Sequence, residues 1–266
     1  MIPLRDNIPS RTIPFISFLM IGACAVVFLL QLRDERAGQT QVIDQLAMIP
    51  RRISQPDKPI SIRDVRHVQQ GGRHEVVKVE RTLPPPMISP RLTMLTCIFL
   101  HGGWMHFLGN MWFLWIFGDN VEDRFGHIGH ALFYLGCGIA ASAAHYLADP
   151  TSTIPTIGAS GAIAGVMGAY LVLYPRATVL SLLPFGYFTR IVVIPAPAFL
   201  GIWFVIQLVQ GTTGRGGGVA WWAHIGGFAV GAAVAALLGM IHMLRPPVAE
   251  RLPNTDRMTT YRYRRS

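Results

Sequence analysis

The chain has little charge and little cysteine. Only 14% of its 266 residues are charged, against about a quarter in soluble domains, and 51% are hydrophobic, a balance that excludes an ordinary soluble domain. Three cysteines are too few for a disulfide-stapled secreted scaffold. Cys24, Cys97 and Cys137 fall in or beside apolar stretches at no metal-ligand spacing, and read as packing residues with no disulfide implied. The 27 glycines follow no period, which excludes a collagen-like repeat, and the apolar fraction excludes intrinsic disorder. No His-Glu-x-x-His occurs, which argues against a zinc protease. Ile116 stands where a Gly-x-Gly-Asp motif ending at Asp119 needs its first glycine, which argues against an aspartyl one.

The charge that is present is unevenly placed: three residues in 1–12, 18 in 33–91, eight in 92–244 and eight in 245–266. Uncharged windows run 13–32, 92–118, 125–148, 150–175, 191–214 and 216–244. Each can cross about 30 Å of hydrocarbon as a helix, and a helix satisfies its own backbone in lipid. The windows predict an all-α polytopic membrane protein of six transmembrane helices. Residues 1–12 form an N-terminal segment, 13–32 the first helix, 33–91 a long loop, 92–244 a core of helices two to six, and 245–266 an Arg-rich tail. The first window exceeds the roughly 7 to 15 apolar residues of a cleaved signal and reads as a retained anchor. A shorter apolar stretch, 177–189, contains Pro184 and Gly186 and reads as a connecting loop. Within 33–91, residues 58–68 and 73–81 are rich in Ile and Val, flank Gln69-Gln70-Gly71-Gly72, and suggest a small hairpin; Pro84-Pro85-Pro86 stiffens the return.

A net charge of +9 could indicate nucleic acid, but the arginines sort by side. With six spans both ends share one side. That side gathers Arg5, Arg11, Arg124, Arg176, Arg190, Arg245, Arg251, Arg257, Arg262, Arg264 and Arg265, whereas the short loops opposite add only Arg215. By the positive-inside rule both termini are cytoplasmic, and no nucleic-acid partner is implied. Loop 33–91 carries eleven Lys and Arg and is set aside, because loops near about 60 residues translocate regardless of charge.

Polar residues inside apolar spans are costly, so each is a candidate for function. Gly158-Ala159-Ser160-Gly161 precedes a helical run that ends at Pro175, a helix of about 22 Å that begins below the membrane surface. Ser160 would sit at a submerged helix N-terminus suited to an oxyanion, although taken alone it reads as readily as an N-cap. His224, in Trp221-Trp222-Ala223-His224-Ile225-Gly226-Gly227, could be a packed hydrogen-bonding residue or a base. Ala223, Gly227, Gly231, Ala235 and Gly239 recur every four residues, as do Gly161, Gly165 and Ala169; such stripes let two helices approach closely, and would bring Ser160 and His224 to one end of the contact. His106 and Asn110 share a helical face as i and i+4, and form either an interhelical clamp or a pair of neutral donors for a tetrahedral intermediate.

Together these segments resemble the rhomboid family of intramembrane serine proteases across residues 92–244. The motifs are His101-Gly102-Gly103-Trp104-Met105-His106-Phe107-Leu108-Gly109-Asn110, the 118–126 segment with Glu122 and Arg124, Gly158-Ala159-Ser160-Gly161, and Ala223-His224-Ile225-Gly226-Gly227. The resemblance implies a six-helix bundle with a short, submerged fourth helix. It implies Ser160 as nucleophile and His224 as base, with oxyanion donors from His106, Asn110 and the Ser160 backbone, and Gly161, Gly165, Gly227 and Gly231 packing beside them. Transmembrane proteins in the bilayer would be cleaved through an acyl-enzyme, with no metal or other cofactor. Separately, with no transit peptide visible, the expected location is a bacterial inner membrane. Two positions depart from well-studied relatives: Ala164 replaces a tyrosine on which the histidine rests, and Leu92-Thr93 replaces a Trp-Arg pair. Loop 34–86 is also longer than in minimal bacterial forms. The competing readings are an inactive rhomboid-like protein that binds transmembrane helices and a small-solute transporter. The latter is disfavoured by the lack of internal repeats and of acidic residues within spans.

Overall fold

The computed structural model describes residues 1–70, 73–185, 188–213 and 219–246. Strand β1 (Ile2–Asp6) leads into helix α1 (Phe15–Arg36), which starts after Pro14. The buried Glu122 carboxylate accepts the Ile16 and Ser17 N–H groups, each at 2.9 Å, and the Ser17 hydroxyl at 2.8 Å. A negative group satisfying orphan N–H donors at a helix start explains both the onset of α1 and the burial of a charge. Arg33 and Arg36 extend the helix beyond the expected 13–32 window, because cations suit its C-terminal end.

The long loop folds as α2 (Gln41–Leu46), α3 (Pro50–Ser54) and the antiparallel strands β2 (Ser61–Gln70) and β3 (Arg73–Thr82), close to the expected hairpin, whose residues 71 and 72 lie outside the described ones. Ile49, Ile60 and Leu83 form a small core of its own.

A short helical segment follows, with α4 (Thr93–Thr96) at its centre, and then α5 (Trp104–Phe125). The sequence suggested one continuous helix over 92–118; instead the chain bends by 80° between residue 99 and residue 104. Gly103 has φ of +142°, a conformation that side chains avoid. The His101 backbone, drawn out of helix, exchanges two 2.9 Å hydrogen bonds with the Gln31 amide of α1. Helices α6 (His127–Ala148) and α7 (Ser160–Leu173) come next.

The loop expected at 177–189 is not irregular. Strands β4 (Thr178–Phe185) and β5 (Phe188–Pro195) pair antiparallel, and β1 joins them in the order β1-β4-β5. Alternation explains it: Val179 and Ser181 are fully buried on one face, while Leu180 and Leu182 lie on the other. Pairing with β1, far away in sequence, completes the sheet, so residues 1–12 are partly structured. Helices α8 (Ala196–Thr213) and α9 (Trp221–Met240) end the described bundle; Arg215 and residues 247–266, most of the expected Arg-rich tail, lie outside the described residues.

Among the described residues four helices, α1, α6, α8 and α9, are long and apolar enough to cross a membrane, and a fifth results if the bent pair around residues 100–103 is one span. Helix α7, with 14 residues, rises only about 21 Å. Every residue from Gly161 to Tyr170 is buried, so α7 is the centre around which α5, α6, α8 and α9 are arranged. Arg11 meets Asp123, and Arg245 meets Arg124, at the end of α5 opposite Ser160.

Candidate active site

The turn that introduces α7 is held before the helix starts. Gly158 donates its N–H to the Cys97 carbonyl at 2.9 Å, and Thr156 pairs with Met48 of the long loop through backbone bonds of 3.1 and 2.8 Å. Gly158 has φ of +128°, and a Cβ there would stand 2.8 Å from His106 Nε2 and 3.5 Å from Ser160 Oγ. Only glycine leaves room for imidazole and hydroxyl to flank this turn.

Ser160 does not cap the helix. Ala159 is in the N-cap position without a side-chain bond, and Ser160 is the first helical residue, its Oγ 2.7 Å from His224 Nε2. Its backbone N–H belongs to the first turn, where no intrahelical acceptor exists.

The serine–histidine distance follows from how α9 meets α7. A Cβ on Gly227 would lie 2.0 Å from the Gly161 carbonyl oxygen, one on Gly231 2.0 Å from that of Gly165, and one on Gly168 2.1 Å from that of Phe228. Gly161 and Gly165 also leave room for Ala141 and Cys137 of α6, which a Cβ would approach to 2.6 and 2.5 Å. The two small-residue stripes therefore face each other backbone to backbone. Gly239, in the same stripe, has nothing within 4 Å of a Cβ, so the tight contact stops before it.

His106 and Asn110 reach the same place from α5. The Gly102 N–H donates to His106 Nδ1 at 3.2 Å, which leaves Nε2 as the N–H of the neutral ring, on the edge facing Gly158. Asn110 is buried, and its Nδ2 has no hydrogen-bond partner among the described residues. With Ser160 and His224 they line a cavity of about 970 Å³. A hydroxyl bonded to an imidazole, beside two side-chain donors and a helix N-terminus, has the parts that covalent acyl transfer needs. Among the described residues no three His, Cys, Asp or Glu side chains group as metal ligands.

Sequence reasoning missed two residues of α8. Gln207 Oε1 lies 2.7 Å from His224 Nδ1, and the ring of Trp203 is 5.9 Å from the imidazole, tilted by 38°. Trp221 approaches it edge-on at 5.9 Å. Ala164, where a tyrosine would have supported the histidine, is fully buried within α7. The available signal was an amide in a largely apolar window, one helical turn after a tryptophan.

The Rhomboid domain family model matches residues 90–241, more than half of the chain. RHOMBOID-like protein 5 of Arabidopsis thaliana is 32% identical over 157 residues, covering 59% of this chain and 45% of its own length. Rhomboid protease GluP of Bacillus subtilis (strain 168) is 35% identical over 147 residues, 55% of this chain and 26% of that protein. Rhomboid protein 1, mitochondrial, of Saccharomyces cerevisiae is 27% identical over 151 residues, 54% and 41% respectively. The chain thus spans less than half the length of these curated relatives. The matched region runs from the bent segment before α5 to the end of α9 and includes every residue of the cavity chemistry described above, and on that match this integral, multi-pass membrane protein belongs to the rhomboid family.

Proposed function

We propose that the chain is an intramembrane serine endopeptidase that cleaves peptide bonds in or near transmembrane segments of other membrane proteins. The observation that carries this reading is the 2.7 Å bond between Ser160 Oγ and His224 Nε2 at a cavity that also holds an unpartnered Asn110 amide. Ser160 Oγ attacks the scissile carbonyl carbon while its proton passes to His224 Nε2. The oxyanion takes hydrogen bonds from His106 Nε2–H, Asn110 Nδ2–H and the Ser160 backbone N–H. As the C–N bond breaks, the imidazolium returns its proton to the leaving amine. Water then attacks the acyl-serine with His224 again as base, and the carboxylic product leaves as Ser160 regains its proton. In this reading the 14 residues of α7 are too few to span the bilayer, which supports a site below the membrane surface where a helical substrate unwinds locally to present its backbone.

The test is a fluorophosphonate probe on the purified protein. Labelling is expected in the wild type and abolished in Ser160→Ala and His224→Ala, both with unchanged detergent stability, and cleavage of labelled single-span substrates should follow the same pattern. A wild type that neither labels nor cleaves would instead support a rhomboid-like protein that only binds transmembrane helices.

We further propose a bacterial inner membrane as location, with six spans including α7, both termini cytoplasmic and residues 33–91 outside. The native cysteines are buried, so single introduced thiols report cleanly. A membrane-impermeant reagent on intact cells should label Gln39→Cys and spare Thr260→Cys; the reverse pattern would invert the topology.

A further inference from the structure

Burying a primary amide in an apolar helix costs free energy unless its polar atoms are bonded. Gln207 is 6% exposed on α8, flanked by Phe204, Val205, Ile206, Leu208 and Val209, and its Oε1 lies 2.7 Å from His224 Nδ1. An imidazole that takes the serine proton at Nε2 must carry its own hydrogen on Nδ1. That hydrogen needs an acceptor, or the tautomer in which Nε2 holds the proton and cannot act as base becomes competitive. Gln207 Oε1 is such an acceptor, and it carries no proton and no charge of its own. Trp203, one turn earlier on the same helical face, lies beside the ring at 5.9 Å, on a protein where Ala164 offers no aromatic support from α7.

We infer that Gln207 is a positioning residue for the dyad: its Oε1 accepts the Nδ1–H of His224 and holds the ring in the tautomer and orientation that present Nε2 to Ser160. This rests on the serine–histidine reading proposed above and deepens it, because it assigns to α8 the task of an orienting third group. The group is neutral, so it fixes the tautomer without stabilising the imidazolium as a carboxylate does.

The experiment compares fluorophosphonate labelling rates, and kcat against KM on a labelled single-span substrate, for wild type, Ser160→Ala, Gln207→Leu, Gln207→Asn and Gln207→Glu. Gln207→Leu removes the acceptor and is expected to slow labelling and lower kcat by about 10² to 10³-fold with KM within about threefold, between the loss seen when a metal-bound histidine loses its orienting partner and that seen when a charged triad carboxylate is replaced. Gln207→Glu keeps an acceptor at the same reach and is expected to recover to within about tenfold of wild type, while Gln207→Asn, one methylene shorter, falls between the two. A merely structural role would change thermal stability and KM and would not be rescued by the acceptor-bearing variant. Should Gln207→Leu fail to fold, Gln207→Asn carries the same test. Ser160-dependent labelling that proceeds at the wild-type rate in the folded Leu or Asn variant would overturn the positioning role alone. Wild-type labelling that survives Ser160→Ala would overturn the dyad and this inference with it.

Discussion

Helix α9 carries His224 and helix α8 reaches it from outside, and the two are packed by opposite means. Helix α9 meets α7 through glycine, with backbone atoms in contact at Gly227 and Gly231, so nothing along that seam can rotate away. Helix α8 buries only Ala196, Phe199, Leu200 and Gln207, and touches the imidazole with the tips of two long side chains. The rigid seam sets the distance between hydroxyl and ring. The looser helix sets the angle of the ring, and can be altered without moving the backbones that carry the dyad. Distance and orientation, both needed for a reactive geometry, are thus supplied by different kinds of packing.

The strongest way to break this division is at the seam. In Gly227→Val the Cβ alone, 2.0 Å from the Gly161 carbonyl oxygen, forces the backbones apart by more than an ångström before the methyl groups are counted. A displacement of that size costs about 10²-fold in rate when reacting groups must stay aligned, and overpacking adds about 3 kcal/mol of destabilisation. Turnover is expected to be lost although no functional group is removed. Ala229→Val, on the exposed side of the same helix, is the control and should keep wild-type turnover and unfolding temperature. Full activity in Gly227→Val would mean that α9 is not held by this contact.

Next come the donors on α5, which depend on neither α8 nor α9. Asn110→Ala and His106→Ala should each lower kcat by about 10²-fold, at the weaker end of what a single oxyanion donor contributes, with KM and stability little changed. Asn110→Ala should not destabilise the fold, because its Nδ2 has no partner to lose. A variant that raises KM and leaves kcat intact would mark these residues as a clamp or a binding contact, and the cavity wall would then be read as part of the packing.

These differences track what the sequence could and could not reveal. The short helix beginning at Ser160 and the four-residue stripes are local patterns that map onto α7 and α9, and the windows 13–32 and 125–148 match α1 and α6. The sheet is not local: β1 and β4 are more than 170 residues apart, and nothing in 177–189 announces its partner. The break near Gly103 hides inside an uncharged window, because charge counting does not register φ. Gln207 escaped because an amide in a largely apolar run, with Gln210 three residues on, carries no spacing that singles it out or points to its partner. Its meaning depends on His224, 17 residues onward, and only the fold brings the two side chains together.

The smallest expected effect lies in the long loop, and it sharpens the comparison by showing which of its bonds matter to the site. The loop reaches the turn before Ser160 through backbone atoms, Met48 with Thr156 and Arg51 with Ser152. Among its side chains, the Ser54 hydroxyl donates to the Pro150 carbonyl at 2.6 Å, whereas Arg52 and Arg81 tie the loop to itself. Arg81 holds Asp44 at 2.7 and 2.8 Å, and Arg52 donates to the Asp44 and Pro84 carbonyls at 2.6 and 2.7 Å. Burial lowers the pKa of Arg52, partly offset by the nearby Asp44 carboxylate, and the guanidinium stays charged at any physiological pH. Arg81 is one-fifth exposed although Asp44 is buried, so solvent screens the pair in part and its contribution is about 1 kcal/mol, with the Thr40 hydroxyl still bonded to Asp44 when Arg81 is removed. Arg81→Ala should therefore lower the unfolding temperature by a few degrees at most and leave kcat within about threefold of wild type, since the backbone pairing at Met48 survives. A kcat loss as large as that of Gly227→Val would show that the hairpin side chains, and not the backbone bridge, hold the turn that leads into Ser160.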